Sequence, residues 1–142
     1  MKSYLIDANV ILRVLTGSPE SQADQAARFL VAAENGDHEV IIPSTVIAEV
    51  VFVLSGSVYQ IPRPLLVEKL LHFLSNPALH VVERDIIHRA LSLFSKSNVD
   101  FVDCYLAAAA SSEGRHIATF DKDFKKLGDS NQCLTLLQEN IS

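Results

Sequence analysis

The chain has 142 residues, a length that suits one domain spanning residues 1–142 and burying roughly two-thirds of its unfolded surface. Apolar residues make up 49% and charged residues 20%, which excludes a disordered binding segment. A formal net charge of −5 excludes sequence-blind coating of nucleic acid, because such coating rests on Lys and Arg neutralising phosphates; nucleic-acid chemistry would need a local site.

Tyr4-Leu5-Ile6 is too short an apolar run for a signal peptide and reads as a buried strand ending at Asp7, followed by Val10, Ile11, Val14 and Leu15 at helical spacing. Ser18 before Pro19 marks a second helix start, and Ala23, Ala26, Ala27, Leu30 and Val31 continue one face to about Asn35-Gly36. Val40-Ile41-Ile42 is a β-branched strand stopped by Pro43, and Ser44 is placed to cap a helix from Thr45 to about Leu54. The uncharged stretch Val50 to Pro62 falls short of the ~20 residues of a membrane span, so a cytoplasmic protein is expected. Pro64 to Leu74 has a helical pattern, His80-Val81-Val82 that of a strand, and Ile86 to Phe94 that of a helix. Asp100 is placed to cap an alanine-rich helix reaching about Gly114. His116 to Phe120 reads as a strand before Asp121, and Leu134 to Leu137 as a last edge strand. Strand–helix alternation of this kind implies an α/β fold with a parallel sheet covered by helices on both faces. Cys104 and Cys133 form no paired motif and read as reduced thiols in or near the core.

Ligand sites in such sheets lie beyond the C-terminal strand ends, which is where Asp7 and Asp121 fall. Glu49 is the one charge between Glu39 and Arg63, and Asp103 the one between Asp100 and Glu113. Both sit in helices apolar enough to predict burial. Two carboxylates ~4 Å apart repel by about 4 kcal/mol at an effective dielectric near 20, and these segments offer no Lys or Arg to offset that. A hard divalent cation, Mg²⁺ or Mn²⁺, would do so, and an all-carboxylate set suits either better than zinc. The chemistry such an ion serves is phosphodiester hydrolysis. Arg13, Lys122, Lys125 and Lys126 are placed for phosphate contacts.

Structural readings stand beside these. Asp7 is placed to cap the helix at Ala8, Asp121 to open a turn, and Asp103 to close a capping box with Asp100. Glu49 would then only reach outward from a helix edge. Asp100 is a peripheral candidate, as are Asn9, which could orient Asp7, and Thr119, which could donate to a carboxylate or phosphate. The lysines would form a solvated face. His38, His72, His80, His88 and His116 show no paired ligand spacing.

Four blocks together resemble the PIN-domain nucleases, specifically VapC-type toxins of toxin–antitoxin pairs. They are Leu5-Ile6-Asp7-Ala8-Asn9-Val10, Ser44 to Val53 around Glu49, Asp100-Phe101-Val102-Asp103 before Leu106-Ala107-Ala108, and Thr119-Phe120-Asp121-Lys122-Asp123-Phe124. The resemblance implies a PIN-like three-layer α/β/α fold with about five parallel strands, Mg²⁺ or Mn²⁺ dependence, and cleavage of single-stranded RNA or of exposed loops of structured RNA. It places Asp7, Glu49, Asp103 and Asp121 at the family's acidic positions and Asp123 at a less consistent one. It further implies a cognate antitoxin protein and a homodimer. The rival of another class is a PIN-like non-catalytic module that binds protein and keeps its acids as caps. A phosphatase with Asp7 as nucleophile lacks its usual second acid, because Asn9 stands there.

Overall fold

A computed structural model describes residues 1–127 and 133–136. The chain forms two compact units, Met1–Arg84 and a second from Asp85 onward. The first runs β1 (Lys2–Leu5), α1 (Ala8–Thr16), α2 (Glu20–Glu34), β2 (His38–Ile42), α3 (Ser44–Ser55), α4 (Arg63–Leu74) and β3 (Leu79–Val81). Because helices return the chain between strands, the strands pair in parallel, in the order β1-β2-β3 with Tyr4 opposite Val40 and Val40 opposite Leu79. Past the strand ends, Ile6 N–H donates to Ile41 O at 3.2 Å and Val82 N–H to Ile42 O at 3.0 Å.

The middle strand puts Val40 and Ile42 out of solvent, together with Ile11 of α1, Ile47 and Val50 of α3, and Leu66 and Leu70 of α4. Helix α4 packs on α1 and α3, so a hole made at Leu70 has little freedom to close. Leu70→Ala is expected to cost about 2–5 kcal/mol, read as a lower denaturant midpoint with unchanged slope; a loss under 1 kcal/mol would contradict this core assignment.

Two local expectations are corrected. The first strand was expected to be buried, yet β1 lies at an edge of its sheet and is exposed along its length, with Leu5 at 70%; of the apolar run only Ile6 is covered. Ser44 does not cap α3: Pro43 holds the cap position, and the Ser44 hydroxyl donates to Glu83 Oε1 at 2.7 Å and to Val82 O at 3.3 Å. The hydroxyl thus ties the end of β2 to the turn after β3. The start marked by Ser18-Pro19 formed as expected, α2 opening at Glu20 with Pro19 at its cap. Arg84 binds the carbonyls of Leu74 and Leu79 at 2.8 and 2.9 Å, closing the α4–β3 connection.

The second unit contains nearly all of α5 (Arg84–Lys96), then α6 (Phe101–Glu113), β4 (Ile117–Thr119), a 3₁₀ turn (Lys122–Leu127) and β5 (Cys133–Thr135). Helix α5 buries Ile87, Ala90, Leu91 and Phe94, a stripe at helical spacing. The Phe94 ring meets Phe101 edge-on at 6.0 Å. Helix α6 ends where Gly114 takes φ 65, a left-handed conformation that costs glycine little. Strands β4 and β5 pair in parallel, Ala118 opposite Leu134. Leu137, expected to end the last strand, lies outside the described residues. The described strands therefore form two parallel ladders, one of three and one of two. Cys104 is buried, as expected of a core thiol.

Candidate active site

In the first unit, Asp7 follows β1 after one intervening residue, Ile6, and is the N-cap of α1. Its backbone is extended (φ −89, ψ 175), and Oδ1 accepts the Val10 N–H at 3.3 Å. The capping reading is therefore correct as far as it goes. It uses one carboxylate oxygen, and the side chain is exposed, leaving the second oxygen available. Asn9 does not orient Asp7: it is exposed and makes no hydrogen bond to it. The burial expected of Glu49 is also corrected. Helix α3 buries Ile47, Val50, Val51 and Leu54, so Thr45, Glu49 and Phe52 fall together on the opposite face, in solvent. Asp7 and Glu49 belong to elements leaving the same C-terminal edge of the sheet, and α1 packs on α3.

In the second unit, Asp100 occupies the N-cap position of α6 with extended geometry (φ −61, ψ 149), and its carbonyl accepts the Cys104 N–H at 3.0 Å. Its carboxylate caps nothing, so the expected side-chain cap and the capping box with Asp103 do not form. That carboxylate is left for other work. Asp103, one turn on, is half-buried. Its carboxyl is raised above the ordinary value, first by burial and then by the negative charges of Asp121, Asp100 and Asp123. Four carboxylates of this unit thus share one electrostatic neighbourhood.

The loop after β4 holds two of them in a defined turn. Asp121 N–H donates to Thr119 Oγ1 at 3.0 Å, and Asp123 N–H donates to Asp121 Oδ1 at 2.8 Å. These are the side-chain-to-backbone bonds by which Thr and Asp set a turn. The Thr119 hydroxyl accepts this backbone N–H, which still leaves its O–H as the donor expected for a carboxylate or phosphate. Phe124 is buried and anchors the turn. Asp123, set aside on sequence, proves part of the cluster and pairs with Lys126 at 3.1 Å in a half-exposed ion pair. Its signal was present in the alternation Asp121-Lys122-Asp123. Lys122 and Lys125 are exposed on the same turn.

Of the two acids expected to be buried, Glu49 is exposed and Asp103 only half-covered, and Asp7 and Asp121 are exposed as well; no polar or charged residue of the described chain is fully buried. Repulsion survives as an argument in the second unit alone, where three charges act on Asp103. Within the described residues of either unit, no three His, Cys, Asp or Glu side chains stand close enough to hold a metal ion as they are placed. The donor chemistry of the second unit, all carboxylate oxygen around an acid whose charge is disfavoured, nonetheless suits a hard divalent cation.

A family model described as PIN domain matches residues 4–130, a span that includes every acid named above. A VapC ribonuclease of Aquifex aeolicus (strain VF5) is 28% identical to the chain over 125 residues, covering 87% of this chain and 91% of that protein. Among the described residues no helix is long and apolar enough to cross a membrane.

Proposed function

The chain belongs to the PIN-domain family, a family of three-layer α/β/α proteins, and on that premise we propose that it is a metal-dependent ribonuclease, the toxin of a toxin–antitoxin pair. The observation that carries the reading is Asp103, half-buried, its ionised form disfavoured by Asp121, Asp100 and Asp123, in a chain similar over most of its length to a ribonuclease. One nuclease domain running through both units fits the span of the family match, which crosses their boundary.

In this reading Asp7 and Asp103 would hold the principal Mg²⁺ or Mn²⁺, and Glu49 and Asp121 would add to the carboxylate set or position the attacking water. Asp100 and Asp123 add negative charge at the margin. The bound ion supplies Lewis acidity at a phosphoryl oxygen and a more acidic water. Hydrolysis adds water across a P–O bond, its hydroxyl going to phosphorus and its proton to the leaving oxygen. The residues' part is positional. The turn set by Thr119 and Asp121 fixes one carboxylate through its own backbone bonds, and the cap bond fixes Asp7. Lys122 and Lys125 lie beside Asp121, exposed, where phosphate contacts would help hold an RNA despite the acidic total. A cognate antitoxin, a homodimer and a cytoplasmic setting complete the proposal.

The test is purified protein on mixed RNA with Mg²⁺, Mn²⁺ or EDTA. Cleavage that requires the ion is expected; RNA left intact under all three conditions, with no metal bound by calorimetry, would favour a non-catalytic protein-binding module.

A further inference from the structure

A groove of about 500 Å³ opens in the first unit, with Asp7 in its wall; its size falls within the roughly 300–1,000 Å³ of small-ligand sites. Its walls are α1 and α2, and β1 supplies the floor. Helix α2 faces it with Gln22, Gln25 and Phe29, at the spacing that normally forms an apolar core stripe. Here that stripe is polar at its start and aromatic at its end.

Arg13 stands in the same groove, half-buried. Its Nε donates to Gln22 Oε1 at 2.6 Å, and among the described residues no carboxylate pairs with it. Gln22 therefore fixes the guanidinium through one donor and leaves the four N–H groups of Nη1 and Nη2 unspent. A half-buried cation held by a neutral amide is suited to an incoming anion with paired oxygens, such as phosphate. His38 stacks on one face of Phe29 at 4.2 Å, and Tyr4 meets Phe29 edge-to-face at 5.3 Å; the exposed Tyr4 ring and the remaining face of Phe29 are ring surface of the kind on which unpaired bases stack.

We propose that this groove seats one nucleotide of a single-stranded RNA substrate, with Arg13 on its phosphate, the Tyr4–Phe29 pair against its base, and the side-chain amide of Gln25 available to the base edge. This rests on the ribonuclease reading and adds a substrate-positioning residue, Arg13, with Gln22 acting through it. Duplex RNA keeps its bases stacked and does not enter.

The experiment measures binding of a labelled single-stranded RNA oligonucleotide by fluorescence anisotropy in EDTA across a salt series, beside kcat and KM with Mn²⁺, for wild type, Arg13→Gln, Arg13→Lys and Gln22→Ala. Melting temperatures of all four serve as the folding control. Arg13→Gln is expected to weaken binding and raise KM about tenfold with kcat little changed, and to lower the salt slope by about 0.7, the value for one phosphate contact on a single strand. A side chain that merely supported the fold would not move that slope. Arg13→Lys should restore the slope and only part of the affinity, and Gln22→Ala should keep the slope while weakening binding severalfold. Wild-type cleavage with an Arg13→Gln variant of unchanged Kd and slope overturns the groove and leaves the nuclease standing. Binding without any cleavage overturns the nuclease, while the same comparison still decides the groove. The same titrations run on a duplex of that oligonucleotide complete the test: an Arg13→Gln loss as large on the duplex, or RNA bound by none of the four proteins, overturns the proposal.

Discussion

Asp103→Asn is expected to lower RNA cleavage at least a hundredfold and, in the absence of metal, to make the protein more stable than wild type at neutral pH. The activity loss follows from its assignment as a direct ligand, since removing even an outer partner of a metal site costs about 10–100-fold. The stability gain follows from linkage. Burial and the charges of Asp121, Asp100 and Asp123 raise the Asp103 carboxyl above its ordinary value, so between those two values the folded state binds more protons than the unfolded. Stability from this group therefore falls as pH rises through that window, and above it the ionised carboxylate is a standing cost. Asparagine keeps the shape and removes the charge, so the variant's melting temperature should exceed that of wild type above the window and approach it at acid pH.

Adding Mn²⁺ should reverse the order, because wild type gains stability by binding the ion and the variant gains much less. Melting curves of both proteins without and with Mn²⁺, beside one cleavage assay, thus test the acid twice. A variant that cut RNA at the wild-type rate would remove Asp103 from the site. One whose metal-free melting temperature fell would show that the neighbouring charges do not burden it.

Strand–helix alternation was legible because each element carries its own period. Val40-Ile41-Ile42 is a β-branched run closed by proline, and Ile87, Ala90, Leu91 and Phe94 recur as a helix face does, so both formed as expected. What sequence could not give was which side of an apolar helix a lone charge takes. Glu49 lies among valines, but 100° of rotation per residue still leaves α3 an outer face, and Glu49 shares it with Phe52. The caps expected of Ser44 and Asp100 failed for a related reason, while that of Asp7 formed. A Ser or Asp before a helix bonds the nearest suitable partner, and for Ser44 that was Glu83, distant in sequence and brought close by the pairing of β2 with β3. Asp100, Asp103, Asp121 and Asp123 read as separate signals along the chain. Their joint effect on one carboxyl appears only once α6 packs beside β4 and the 3₁₀ turn.

Asp7→Asn separates the two roles that one residue carries in the first unit. Asparagine is as good an N-cap as aspartate, and the bond from Val10 N–H needs only a side-chain oxygen, which the amide keeps. The stability change should therefore stay under about 1 kcal/mol, the remainder being the loss of a negative charge at the positive end of α1. Asp7→Ala, which removes the acceptor, should cost about 0.5–2 kcal/mol. Activity should divide the variants differently. If Asp7 holds the ion through a charged oxygen, Asn and Ala should both fall at least about a hundredfold, the upper end of what outer partners contribute, although only Ala loses the cap. Cleavage that tracked melting temperature, with Asn active and Ala impaired, would make Asp7 a cap alone and leave the acids of the second unit as the only assigned ligands beside Glu49. The decisive number is the kcat of Asp7→Asn with Mn²⁺, taken on protein whose melting temperature matches wild type. Folding cannot account for a loss seen under those conditions, and the difference between an amide and a carboxylate is then the charge a divalent ion requires.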